Sequence, residues 1–306
     1  MAVLTKRSLA FPFQLIPNDQ GLFLQVGYDS IAGMMSLAAF LRFDSVRRRR
    51  RGTPSSTVEE QQVPWSVPRK LKPKVTTVAL VLLTLYFASG LFAQTYDQIL
   101  YSLRSFGVPI NPQLHMSLQV LMSHLSWVFM GCKILSTQLP KFFSKESTWY
   151  RSDRREYWMW WVVGGYFFSS WVFNVADCVN QIILPEAFFA GDEGVVGKLL
   201  NPETPSIIAS IFGYIAPCIS APWWEEVLYR GFMLPALHVL LPLRWSILVS
   251  GIIFSLHHLT CTGFLPLAVL GWTWAKVYVE SGNLWTTMVI HGMWNSRVFL
   301  GGWMGI

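Results

Sequence analysis

Three polar constellations interrupt the apolar C-terminal third of the chain. They are Glu225-Glu226-Val227-Leu228-Tyr229-Arg230, Phe254-Ser255-Leu256-His257-His258 and His291-Gly292-Met293-Trp294-Asn295. Glu226 and Arg230 are four residues apart, so on a helix they share a face and can pair. Glu225 sits about 100° further round and is left clear of that partner. A carboxylate in an apolar pocket suits a general base near neutral pH. Helix-start chemistry competes for the same residues: Ser220 as a cap, Pro222 in the first turn, acids at the positive end of the dipole. That explains one glutamate, but two with an arginine a turn deeper less well. His291 and Asn295 are again four apart, and an imidazole with a carboxamide can donate hydrogen bonds to an oxyanion. Phe254 and His258 share a face as well, although a lone helical histidine is more often a packing residue than a catalyst.

The elements that must carry these groups are membrane helices. The chain has 306 residues, of which 52% are hydrophobic and only 13% charged. Soluble domains carry roughly 25% charged residues, so a disordered chain is excluded and a polytopic, all-α membrane bundle is expected. A ruler of about 20 apolar residues gives eight spans: Thr76–Thr95, Ser117–Ser136, Tyr157–Val175, Pro205–Pro222, Trp223–Leu241, Arg244–Thr260, Thr262–Val279 and Asn283–Gly302. The fourth and fifth join without a polar loop, so Ala221-Pro222 is expected to turn the chain. Arg69, Lys70, Lys72 and Lys74 precede the first span, and Lys141, Lys145, Arg151, Arg154 and Arg155 follow the second. Both groups belong on the cytoplasmic or stromal side. Asp177, Glu186, Asp192, Glu193 and Glu203 belong on the other. With alternating spans, Glu225 and His258 fall about 3 Å inside the basic-loop face, Asn295 about 10 Å and His291 about 16 Å. Ionisable groups inside a span are costly and mark function by default. A carboxylate, two imidazoles and an amide in one half of the membrane therefore read as one site.

Residues 1–74 form a separate basic leader with 12 Lys/Arg against 5 Asp/Glu, whereas residues 75–306 carry no net charge. The basicity therefore gives no support for nucleic acid as a partner. The arginine run Arg47–Arg51, followed by Pro54-Ser55-Ser56-Thr57, is expected to be largely disordered and reads as an organellar transit peptide. Its acids Asp19, Asp29, Asp44, Glu59 and Glu60 count against that reading, and the alternative is a disordered cytosolic tail whose arginines touch anionic lipid. Cys132, Cys178, Cys218 and Cys261 show no zinc-type pairing and read as small buried hydrophobes. Tyr96-Asp97 lacks the G-x-G-D partner of an aspartyl protease, and no G-x-S-x-G elbow occurs.

The three motifs in this order, each on a membrane helix, resemble the CAAX protease and bacteriocin-processing family of intramembrane endopeptidases, the group of the Ras-converting CAAX endopeptidase. The likeness covers about residues 205–302, and eight spans fit it. It implies a membrane endopeptidase acting near the bilayer surface on a membrane-associated protein or peptide. Glu225 would activate water, and Glu226 with Arg230 would hold and position it. His258 would orient the water, with Phe254 beside it, and His291 and Asn295 would stabilise the oxyanion. The family has been described both as metal-free glutamate proteases and as zinc enzymes. No H-E-x-x-H pair occurs here, so no cofactor is expected. If zinc is used, Glu225, His258 and His291 are its ligands. The leader is similar to those of plant plastid members, which implies a chloroplast membrane, with the endoplasmic reticulum second. Some family members are thought to act without proteolysis, as scaffolds that stabilise partner proteins.

Overall fold

The computed structural model describes residues 63–152, 158–185 and 206–304, with 31–36, 38–40 and positions 42, 188 and 199. The arginine run, the leader acids Asp19, Asp29, Asp44, Glu59 and Glu60, and Arg154, Arg155, Glu186, Asp192, Glu193 and Glu203 lie outside the described residues. All regular secondary structure among the described residues is helical. It comprises α1 (Ile31–Phe40), α2 (Lys72–Ser105), α3 (Pro112–Gln138), α4 (Trp158–Ile183), α5 (Ile207–Leu240), α6 (Leu243–His257), α7 (Phe264–Ser281) and α8 (Leu284–Met304). This is an all-α polytopic membrane fold. Helices α2 to α5 are long and apolar enough to cross a bilayer. Their outward residues, such as Leu80, Phe87, Phe129 and Ile207, are exposed and apolar, as a lipid-facing surface requires.

One expectation is corrected. The chain does not turn at Ala221-Pro222; the fourth and fifth candidate spans are one helix of 34 residues, α5. Proline inside a helix removes one N–H and frees a carbonyl, but it does not force a reversal. Here the backbone absorbs it by widening into two π-helical stretches, Ala216–Ser220 and Val227–Met233, on either side of Ala221–Glu226. Among the described residues there are eight helices, but α1, from the leader region, is too short to be one of the eight expected spans. With one crossing fewer before α6, however, the sides assigned to the later spans reverse. The depths calculated from strict alternation no longer apply.

The chain divides into two compact units. The first takes residues 1–66, 150–191 and 241–290, and so holds α1, α4, α6, α7 and the start of α8. Helices α6 and α7 meet at Gly251 and Gly271, where a Cβ on Gly271 would stand 2.7 Å from the Gly251 Cα. Small residues permit such close backbone approach in membranes. Trp272 Nε1 donates to Leu248 O at 2.8 Å, and Ser255 Oγ to Phe264 O at 2.6 Å. Helix α4 is tied to α7 by Trp274 Nε1 donating to Ser169 Oγ at 2.9 Å. Helix α1 lies along α4 in the opposite sense: a Cβ on Gly33 would overlap Trp171, and one on Gly164 would overlap the Phe40 ring. Phe40 stacks on Trp161 with centroids 4.6 Å apart.

The second unit takes residues 67–149, 192–240 and 291–306, and so holds α2, α3, α5 and most of α8. Asn111 caps α3 through Leu114 N at 2.7 Å, with Pro112 in the first turn. Gln113 then clamps the start of α5, accepting from Ser206 N at 2.7 Å and donating to Ser210 Oγ at 3.2 Å. Further along α3, Gly131 leaves room for the Trp224 indole, and Trp127 meets that ring edge-on at 5.7 Å. Trp224 is fully buried, so the turn of α5 before the glutamates is held by packing. Asp97 pairs with His115 at 2.8 Å and Tyr96 bonds Ser126 at 2.8 Å, both joining α2 to α3.

Candidate active site

The second unit brings Glu225, Glu226, Arg230, His291 and Asn295 together. Arg230 Nη1 donates to Glu226 Oε1 at 2.8 Å, the i,i+4 pair that the spacing requires. The same oxygen lies 3.1 Å from His291 Nδ1. A carboxylate oxygen can only accept, so Nδ1 carries the proton and donates. The other ring nitrogen, Nε2, faces Glu225 Oε2 at 3.9 Å. One imidazole thus stands between two adjacent glutamates, with one nitrogen on each. Glu225 is 8% exposed, Glu226 0%, Arg230 1% and His291 3%.

Charge counting gives this arrangement its chemistry. Two carboxylates and one guanidinium leave a buried net charge of minus one, which an apolar interior does not tolerate. Glu225 and His291, side by side and each able to take or give a proton, have the makings of an acid–base pair. Glu225 Oε2 is buried and accepts no hydrogen bond among the described residues. Two atoms 3.9 Å apart can both reach one water oxygen at about 2.8 Å.

Asn295 lies one turn beyond His291 on α8. Its Nδ2 donates to Pro217 O at 2.7 Å, across to the first widened stretch of α5. Tyr214 OH and Ser296 Oγ continue the α5–α8 seam at 2.6 Å. Next to it lies a small core of Leu199, Cys218 and Phe299.

His258 belongs to the first unit. It closes α6, with Nδ1 donating to Phe254 O at 2.9 Å and its ring 4.9 Å from Phe254. The neutral ring then carries its lone pair on Nε2. The next residue, Leu259, takes φ 52°, a left-handed conformation that is strained for a bulky side chain and ends the helix directly behind the imidazole. Phe254 is 1% exposed and packs on Trp274 at 5.8 Å. His257 meets His258 at 5.4 Å.

Three features of the site do not follow from helical spacing. The contact of Glu226 with His291 joins residues 65 apart, which no local pattern displays. Tyr86 of α2 lies within electrostatic range of the Glu225 carboxylate, a contact between residues far apart in the chain. The widened stretches of α5 do have a visible signal, Pro217 and Pro222 within one apolar run, but the same signal also fits a turn.

A zinc site of catalytic type takes three protein ligands. Among the described residues no group of three His, Cys, Asp or Glu side chains has metal-holding spacing. Glu225 and His291 offer two donors, and Glu226 is already engaged by Arg230 and His291. The residues gathered around His291 thus supply two of the three ligands.

Residues 205–297 match the family described as type II CAAX prenyl endopeptidase Rce1-like. All three polar motifs fall inside that stretch. YdiL of Bacillus subtilis (strain 168), named as a candidate membrane peptidase, is 22% identical over 140 residues, covering 46% of this chain and 54% of that protein. The chain thus spans about half the length of this curated relative. No solved structure matches. By its motifs, the helices that carry them and the match over residues 205–297, this part of the chain is similar to the type II CAAX prenyl endopeptidase Rce1-like family.

Proposed function

We propose that the protein is an intramembrane endopeptidase of the CAAX-protease type, hydrolysing a peptide bond in a membrane-associated substrate. The observation that carries this reading is the buried, unbonded Glu225 Oε2 facing His291 Nε2 at 3.9 Å. A water held between them loses a proton to Glu225 while its oxygen attacks the scissile carbonyl. Negative charge passes from Glu225 to the tetrahedral oxyanion. His291, protonated at both nitrogens, donates Nε2–H to that oxyanion and leans on Glu226 through Nδ1. The second N–H of Asn295 adds a donor. Collapse breaks the C–N bond, and the leaving amine takes the proton from Glu225. By family resemblance His258 orients the water.

The test replaces Glu225 by Gln, which keeps shape and removes the base. N- and C-termini of membrane proteins are compared between cells carrying the wild type and the variant. Termini present with the wild type and absent with Glu225→Gln are expected, with expression unchanged. Identical termini, with full rescue of a null line by the variant, would establish the scaffold role instead. Loss of cleavage on chelation, restored by zinc, would make Glu225, His258 and His291 metal ligands. A chloroplast address is proposed from the leader alone and is read by organelle fractionation.

A further inference from the structure

We propose that Asn295 is a positioning residue which, with Pro222, clasps the widened stretch of α5 and fixes the register of Glu225 against His291. This rests on the hydrolytic reading of that pair. In this stretch Ala221 N–H bonds Ala216 O, five residues back. Continuing that spacing, the partner of Pro217 O is residue 222. Under α spacing residue 222 would serve Cys218 O instead. Residue 222 is proline and has no N–H. Either way one carbonyl is stranded inside an apolar helix, where an unbonded polar group is costly.

Helix α8 supplies the missing donor. Asn295 Nδ2 reaches Pro217 O at 2.7 Å. On the same flank of α8 a Cβ at position 292 would stand 3.4 Å from Cys218 O, so Gly292 permits close approach to the second carbonyl at risk. One turn along, His291 holds Glu226. Two attachments one turn apart on α8 oppose both sliding and rotation of α5. Rotation is the hazard that matters. A π stretch holds one residue more than the α turn that could replace it, and losing it turns all that follows by about 100°. Glu225 would then leave His291. The clasp commits one N–H of Asn295 to the protein itself, a role separate from any donation to substrate.

The experiment is a double-mutant cycle in purified full-length protein: Asn295→Ala, Pro222→Ala and both together. Thermal midpoints and cleavage of a membrane-anchored reporter peptide are measured. Asn295→Ala alone is expected to lower the midpoint by about 2–4 °C and cleavage at least tenfold. Alanine at 222 restores the intrahelical N–H. In that background the Asn295→Ala midpoint shift should fall below half, and cleavage should recover over the single variant. Additive midpoints, or coupled midpoints without recovery of cleavage, overturn the proposal. Should Pro222→Ala not fold, Asn295→Leu decides, because it keeps the side chain's shape and cannot donate. An unchanged midpoint in that variant overturns the clasp, and a fall equal to that of Asn295→Ala supports it. If no form cleaves the reporter, the hydrolytic reading fails while the midpoints still decide the clasp.

Discussion

Replacing Arg230 by Met tests the charge balance of the site directly. The guanidinium is 1% exposed and Glu226 0%, with Nη1 2.8 Å from Oε1. Met keeps much of the apolar volume and removes the positive charge. Glu226 must then stay ionised without its guanidinium or take up a proton and lose its charged hydrogen bonds. Breaking one side of a buried pair costs about 3–5 kcal/mol, far above the roughly 0–1 kcal/mol of a surface pair. At about 2–4 °C per kcal/mol for a chain of this size, the midpoint should fall by roughly 10 °C. Removing the second charge as well, in Arg230→Met with Glu226→Gln, takes away the unpaired carboxylate and should recover at least half of that fall. The assay is thermal unfolding in detergent, followed by near-UV dichroism of the buried tryptophans. A fall under about 2 °C for Arg230→Met, or a double variant no more stable than the single one, refutes the claim that this pair is a buried, mutually dependent unit. Cleavage should not return in the double variant, because an amide at 226 holds the His291 ring without stabilising its imidazolium.

Two further outcomes follow from the fold. Gly164→Leu should push the Phe40 ring from its seat and displace α1 from α4. In a background without native cysteines, labelling of Ser36→Cys should then quicken several-fold, and an unchanged rate would place α1 elsewhere. Because α5 crosses once, a cysteine at Leu241 should label from the same side as one at Lys145. Labelling from the opposite side would restore the turn at Ala221-Pro222.

What the sequence disclosed and what it hid have a common physical origin. Helical spacing is local, so Glu226 with Arg230, and His291 with Asn295, are legible as shared faces from the order of residues alone, and α5 and α8 carry them as that spacing requires. Apolar length is also local, and α2, α3 and α4 appear where hydropathy puts them. Proline is where local reading fails, because its consequence depends on a donor elsewhere. Pro222 ends a helix if its stranded carbonyl finds only water, and stays inside one if a neighbouring helix supplies an N–H. Asn295, more than seventy positions away, makes that choice for α5. The proline that looks like a boundary and the asparagine that looks only like an oxyanion donor are thus two ends of one interaction. Its effect is to let one long apolar helix carry two adjacent glutamates in its interior, each facing a different nitrogen of the same imidazole.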